Sequence, residues 1–312
     1  LHDKVVQVVG VSLLLNVLIG LAVSAALYLG APFLLHLMGL RDNLMAYGVS
    51  YMEIVGAFAF FQAISLTISA SLKSADKAIY PMLVVVVVNV LNIIGNYALI
   101  FGKFGLPAMG VEGAAISTSF ARGVSMVILF VILFLKHIPS FPMKIFHPFP
   151  WGELKVLLKI GLPSAGEHMS YNFSQLVLTY FINMLGNEAL TARTYVVNTV
   201  MFVYLFTIAM AQGGAICIGH LVGDKRIRGA YLLGKYVMRL SVLVAVSLSC
   251  VWALMGKTMF GWLTDNPEVI RLGVMVLYVD ILLEIGKSIN IYATNALRAT
   301  GDVIYPFYVG VI

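Results

Sequence analysis

The chain has 312 residues, 61% of them hydrophobic and only 11% charged, with a formal net charge of +6. Soluble globular domains carry roughly a quarter charged residues, so the composition excludes a water-soluble fold. Two cysteines, Cys217 and Cys250, lie in separate apolar stretches and form neither a metal nor a disulfide pattern.

In chain order, stretches near Val8–Leu29, Met45–Ser71, Tyr80–Phe101, Val111–Leu135, Val156–Leu185, Leu190–Val222, Tyr231–Met255 and Val269–Leu297 each supply the roughly 20 mainly apolar residues that a membrane-spanning helix needs. Ile304–Ile312 begins a ninth. Several are interrupted by Gly or Pro, yet backbone in lipid must satisfy its hydrogen bonds internally, and the alternation of barrel strands is absent. The predicted fold class is an all-α polytopic membrane protein.

The second and eighth predicted helices end in one shared signature. Ser71-Leu72-Lys73-Ser74-Ala75-Asp76-Lys77-Ala78-Ile79-Tyr80-Pro81 returns 225 positions later as Ala296-Leu297-Arg298-Ala299-Thr300-Gly301-Asp302-Val303-Ile304-Tyr305-Pro306. The register runs upstream through Gly48 with Gly273, Ile54 with Val279 and Ile64 with Ile289. Such internal duplication of apolar helices is a hallmark of secondary transporters. Six spans separate the copies, an even number, so the repeat is parallel rather than inverted. The stretch from Lys136 to Lys159, with Pro139, Pro142, Pro148 and Pro150, divides the spans four and four. This predicts an N-terminal lobe at 1–135, a cytoplasmic inter-lobe linker at 136–155 and a C-terminal lobe at 156–312. The repeated helix is second in one group and fourth in the other, so two spans are expected before Leu1. The parent is read as two pseudo-symmetric six-helix lobes, truncated here at both ends to the third to tenth helices and the start of the eleventh.

Placement of the charges argues against nucleic acid as a partner. One set of alternate loops holds Lys4, Lys73, Lys77, Lys136, Lys144, Lys155, Lys159, Lys225, Arg226, Arg228, Lys235, Arg239 and Arg298, while the other holds Arg41, Lys103, Lys257 and Arg271. The richer set is cytoplasmic by the positive-inside rule, and its job is topology and contact with anionic headgroups.

Ionisable groups within spans are the candidates for function, because a charge at a helix centre costs about 2.5–3.5 kcal/mol even on the lenient insertion scale. Asp280, Glu284 and Lys287 fall at i, i+4 and i+7 on one helical face, with Thr294 further along it. Glu284 and Lys287 can pair, which leaves either a site whose charge changes on protonation or cation binding, or an ion pair that locks helices together. Glu167, Tyr171, Ser174 and Gln175 follow Gly161-Leu162-Pro163 as a polar stripe. There Glu167 is either a proton or cation acceptor or a helix-start residue favoured by the dipole, and His168 beside it reads as interfacial. Asn89, Asn92 and Asn96 form a carboxamide ladder that suits cation coordination or interhelical bonding equally. Glu53 lies where it can line a cavity or snorkel, and Arg122 is buried by position and needs a partner that the sequence does not name. The abundant Met and aromatic residues suit an adaptable cavity but mostly serve lipid contact and packing. No Walker A, H-E-x-x-H, G-x-S-x-G or aspartate-rich diphosphate motif occurs, which leaves a gradient as the energy source.

Several motifs resemble those of multidrug and toxic compound extrusion (MATE) transporters, over the whole chain. Leu72-Lys73-Ser74-Ala75-Asp76 and Leu297-Arg298-Ala299-Thr300-Gly301-Asp302 are similar to that family's L-R-G-x-G-D loops. Gly110-Val111-Glu112-Gly113-Ala114-Ala115-Ile116-Ser117-Thr118 is similar to its G-V-x-G-A-A-x-A-T helix start, and Gly219-His220-Leu221-Val222-Gly223-Asp224 to V-G-Q-x-x-G-A-G-D, with Gly161-Leu162-Pro163 between them. The resemblance implies a twelve-helix fold and cation-coupled efflux of organic, often cationic, compounds by alternating access. It places Glu167 at a seventh-helix acidic position implicated in coupling, and Asn92, Asn96 and Thr118 at a first-lobe cation site. Lys287 departs from it, standing where some members carry a tenth-helix aspartate, which puts a simple sodium site in the second lobe in doubt.

The expected function is therefore that of a secondary antiporter, not an enzyme. It exports an organic cationic or amphipathic solute in exchange for H+ or Na+, with Glu167, Glu284, Lys287, Asn92, Asn96 and Thr118 in coupling and Asp280, Tyr171, Gln175 and Glu53 lining the solute cavity. Lys287 would hold Glu284 ionised until a conformational change separates them. No cofactor and no metal site are expected beyond the coupling ion. The partners are a small-molecule solute and the lipid bilayer, and the protein is read as a multi-pass cell-membrane monomer. A lipid-linked precursor flippase of the same superfamily, and a membrane lipid-modifying enzyme, stand as the alternatives. The charge asymmetry makes one direct prediction. In intact cells, a single cysteine replacing Lys225 stays unlabelled by an impermeant thiol reagent while one replacing Lys103 is labelled, and the reverse pattern contradicts the orientation.

Overall fold

The computed structural model describes residues 2–37, 42–136 and 149–311, and all regular structure among them is helical. In order these are α1 (His2–Leu37), α2 (Asp42–Ala57), α3 (Ala59–Ser74), α4 (Ile79–Phe101), α5 (Gly110–Lys136), α6 (Trp151–Asn183), α7 (Asn187–Gly223), α8 (Ile227–Leu263), α9 (Pro267–Ala299) and α10 (Ile304–Val311). The Pro-rich core of the predicted linker, residues 137–148, and Arg41 lie outside the described residues. By length and composition α1, α4, α5, α7 and α8 can each cross a bilayer, and the bent pair α2 with α3 meets the same test when taken as one span. α6 and α9 are as long, at 33 residues each, but carry charged residues along their length.

The predicted helix Met45–Ser71 is two helices, bent by 43°. Phe58, at the break, has φ −107° and ψ 15°, and the Phe61 N–H turns back to its carbonyl at 3.1 Å. No proline causes this. Two residues earlier Gly56 lies so close to α1 that a Cβ there would sit 2.7 Å from Leu27 Cβ. Helix kinks without proline commonly fall beside small residues of this kind.

The sequence repeat is a repeat of backbone geometry. After α3, Ala75 N–H donates to Leu72 O, Asp76 N–H to Lys73 O and Lys77 N–H to Leu72 O. After α9, Thr300 N–H donates to Leu297 O, Gly301 N–H to Arg298 O and Asp302 N–H to Leu297 O, the same three bonds 225 positions on. Both turns need a left-handed residue, Asp76 at φ 57° and Gly301 at φ 93°. This is the C-terminal closure in which a positive-φ residue lets the chain satisfy the last carbonyls. The matched helix bodies differ: Phe58 and Ala59, at the break in the first copy, correspond to Leu283 and Glu284, which α9 passes without interruption.

The chain divides into two compact units, Leu1–Leu157 and Leu158–Ile312. In the first, α1 packs on α2 and α3, and α5 on α2, α3 and α4, around Val6, Val9, Ile64, Ile68, Leu72, Val84, Leu129 and Leu133. In the second, α7, α8 and α9 pack mutually. One apolar cluster there joins Val196, Val200, Ala253, Phe260 and Leu277, and another joins Ala211, Ile218, Ala230 and Tyr292. Small residues let these helices approach, as is usual where lipid removes the hydrophobic drive between helices. A Cβ on Gly256 would lie 2.8 Å from Leu277 Cδ1, and one on Gly273 2.6 Å from the enclosed ring of Phe260. Gly273→Val should therefore destabilise the full-length protein by about 1–3 kcal/mol, whereas Gly213→Val, with nothing within 4 Å of its Cβ position, should leave the melting temperature in detergent nearly unchanged.

Candidate functional site

α9 is set by a well-formed start. Asn266 accepts from the Glu268 and Val269 N–H groups at 3.0 and 3.4 Å, and Pro267 occupies the first helical turn. Glu268 and Arg271 then pair on the surface at 2.7 Å, a contact of little energetic weight. From this start the helix buries Leu277, Asp280, Glu284, Ser288 and Tyr292 on one face. Glu284 is 0% exposed and Asp280 8%. Lys287 stands on the flank of that face and reaches back to form an ion pair with Glu284, its Nζ lying 5.9 Å from the centroid of the Tyr204 ring. Thr294 does not join them. It donates to Asn290 at 3.0 Å instead.

The two acids lie in a polar layer between the apolar clusters of the second unit. On α7, Thr207 falls between Val200 and Ala211; on α8, Ser241 and Ser249 fall between Ala230 and Ala253; on α9, Asp280, Glu284 and Ser288 fall between Leu277 and Tyr292. All six are at least nine-tenths buried, and each presents a polar atom with no hydrogen-bond partner among the described residues. These positions lie at the middle of their helices, where water is scarce and an unpaired polar atom is costly. Thr207, Ser241, Ser249 and Ser288 carried no periodic signal of their own.

Glu167 lies 16 residues after Trp151, about 24 Å into α6 at 1.5 Å per residue. The helix-start reading therefore fails, because the dipole acts only within the first turn. Its carboxylate pairs with Arg298 in the last turn of α9, and a Cβ on Gly310 of α10 would sit 2.6 Å from Glu167 Cγ. Gln175 accepts from Arg193 Nη2 at 3.0 Å, and Thr179 accepts from Arg193 Nη1. The sequence reading missed Arg193, whose link to α6 has no local pattern. Tyr171, 58% exposed, and His168, also exposed, stand on the outside of the second unit.

In the first unit Asn96 Nδ2 donates to Asn92 Oδ1 at 3.1 Å, Asn92 Nδ2 to Thr118 Oγ1 at 3.4 Å, and Ser117 Oγ to the Asn92 carbonyl at 3.2 Å. A Cβ on Gly95 would sit 2.4 Å from Ser117 Oγ, so α4 and α5 touch here through a glycine. Asn89 is exposed and stands apart. Glu53 is partly buried, and Ser50 beside it donates to Glu112 Oε1 at 2.7 Å. An open groove of about 860 Å³, lined by Lys4, Asn16, Thr67 and Ser71 among others, contains none of the predicted site residues. Among the described residues no group of three His, Cys, Asp or Glu side chains is placed to hold a metal ion.

The MatE family model matches residues 2–98 and 163–312. The chain belongs to the MatE family. It is 39% identical over 310 residues to the uncharacterized transporter YisQ of Bacillus subtilis, covering 99% of this chain and 68% of that protein. It is 28% identical to the probable multidrug resistance protein NorM of Thermotoga maritima, over 86% of this chain and 58% of that one. Among solved structures, the Vibrio cholerae MATE transporter VcmN superposes with TM-score 0.88 at 20% identity, over 98% of this chain and 67% of that one. A multidrug resistance MATE family transporter in an outward-facing conformation superposes equally well at 17% identity. The chain thus spans a little over half to about two thirds of its relatives' length, and it has their all-helical, multi-pass membrane fold. MatE proteins are transporters, not enzymes.

Within this MatE chain the buried pair Glu284–Lys287 has unequal halves. Glu284 is enclosed, whereas the Lys287 side chain keeps 27% of its surface. Removing the ammonium strands a buried carboxylate, which costs about 3–5 kcal/mol. Lys287→Met should therefore lower thermal stability sharply, Glu284→Gln less, and the double variant should recover most of the loss. A double-mutant cycle giving additive losses would contradict this coupling.

Proposed function

We propose that the full-length protein is a secondary antiporter that exports organic, amphipathic compounds by alternating access of two lobes, these being 1–135 and 156–312 within this chain and joined by the linker at 136–155. The coupling ion is H+ in preference to Na+. The observation that carries this reading is a pair of acids at mid-helix served by one base: Asp280 and Glu284 are one turn apart and buried, and among the described residues the ammonium beside them, Lys287, is bonded to Glu284. Two carboxylates and one ammonium sum to one negative charge. In a low-dielectric interior that sum is costly, and a proton on Asp280 brings it to zero without disturbing the ion pair.

A sodium ion at the same place would sit against the Lys287 ammonium, whose repulsion is large at short range in a weakly screening medium. The polar layer of Thr207, Ser241, Ser249 and Ser288 supplies unpartnered hydroxyls, each able to donate or accept as the charge of the layer changes. Glu167 acts separately. Its bond to Arg298 ties α6 to the end of α9, and protonation of Glu167 releases that tie, so that the helices can shift as the cavity changes sides. Solutes named for multidrug resistance relatives enter here by family membership, and the many Met and aromatic side chains suit bulky ones.

Proteoliposomes holding the full-length protein and a fluorescent amphipathic dye test the reading. An imposed pH gradient should drive dye efflux, a sodium gradient alone should not, and Asp280→Asn, Glu284→Gln and Glu167→Gln should each reduce the pH-driven rate by at least tenfold at equal protein content. Sodium-driven efflux, or full activity in all three variants, would overturn it.

A further inference from the structure

In the first unit the interior of α5 carries a charge that no acid among the described residues answers. Ala115, Ser119, Met126, Leu129 and Leu133 recur at spacings of three and four residues and turn into the packed interior. Ala115 and Leu133 are fully enclosed, Ser119 and Leu129 nearly so, and Met126 packs on the core. Arg122 belongs to the same stripe, between Ser119 and Met126 and near the midpoint of this 27-residue helix. It is partly buried, and among the described residues it forms neither an ion pair nor a hydrogen bond. A bare guanidinium at the centre of a span is expensive, and such groups face a cavity or a partner.

Its surroundings offer donors. The chain of bonds from Asn96 through Asn92 ends on Thr118 Oγ1, which accepts, so the Thr118 hydroxyl hydrogen is left to donate. Thr118 lies one turn before Arg122 on the same side of α5. Arg122 adds five N–H donors and no acceptor. A place built from one hydroxyl donor and a guanidinium fork suits a planar anion, and a carboxylate matches the fork with two parallel bonds. Lipid phosphate is excluded by depth, since headgroups lie at the helix ends rather than at the middle.

We infer that Thr118 and Arg122 bind a carboxylate carried by the solute. The solute is then an amphipathic acid or zwitterion and not a simple organic cation, and the carboxamides Asn92 and Asn96 orient Thr118 rather than hold a metal ion. That the bound molecule is transported rests on the antiport reading; that it is bound does not, and binding is measured without a gradient.

The test uses the purified full-length protein in detergent and two matched probes, rhodamine B, which has a free carboxylate at neutral pH, and its ethyl ester, which does not. Fluorescence anisotropy should give the acid about tenfold tighter binding than the ester, the scale of a charge-assisted hydrogen bond. Arg122→Gln should abolish that preference, Arg122→Lys should keep part of it, and Thr118→Val should reduce it several-fold, so that misfolding of one variant leaves the others to decide. Acid bound no more tightly than ester by the wild-type protein overturns the inference, including the case in which neither binds. That is also the result expected if a carboxylate side chain of the full-length protein occupies Arg122. Loss of gradient-driven efflux with the acid preference intact would instead count against the antiport reading alone.

Discussion

The second unit is organised around the cost of placing carboxylates where water does not reach. Glu284 has no exposed surface and Asp280 almost none, and the desolvation of each is worth several kcal/mol. α9 meets half of that cost locally, by putting Lys287 three residues after Glu284 so that one helix supplies both charges. The other half is left open, because one ammonium cannot neutralise two acids. The packing follows from this: apolar clusters at Leu277 and at Tyr292 close the layer from either end, and glycines at 214, 256 and 273 bring α7, α8 and α9 close enough to exclude lipid from it. In the proposed antiporter, this enclosed residual charge is the place that the coupling proton takes.

The two copies of the repeat show which features duplication preserved. The turns after α3 and α9 close with the same three backbone bonds, because the L-x-x-x-x-[Asp or Lys] register and a residue tolerant of positive φ remain in both. The bodies of the helices diverged. Where the first copy bends at Phe58, the second is one unbroken helix and carries Glu284 at the position matching Ala59. An uninterrupted helix holds Glu284 and Lys287 in register one turn apart, whereas a bend of 43° at the same place would separate them. The units also use their basic residues differently: Lys287 is consumed by an acid on its own helix, and Arg122 is not.

Much of this was legible in the residues. The apolar helices, the repeat and the Glu284–Lys287 pair all arise from local periodicity or spacing, and those survive without knowledge of the packing. The motif resemblance to MATE transporters pointed to the family that the MatE match establishes. What stayed hidden depends on contacts between distant segments. The ion pair of Glu167 with Arg298 joins residues 131 positions apart, and the link of Arg193 to Gln175 crosses between two helices. The serines and threonines of the polar layer are common in membrane helices, and only their joint burial singles them out. The break at Phe58 escaped notice because Gly56 is an ordinary residue in an apolar helix until α1 is packed against it.

The most direct measurement is infrared difference spectroscopy of the reconstituted full-length protein through a pH jump, with the carboxyl bands assigned by single substitution. A protonated carboxyl band that disappears in Asp280→Asn and persists in Glu284→Gln is the predicted result. A protonated band belonging to Glu284, or carboxylate bands that respond to sodium and not to pH, would contradict it.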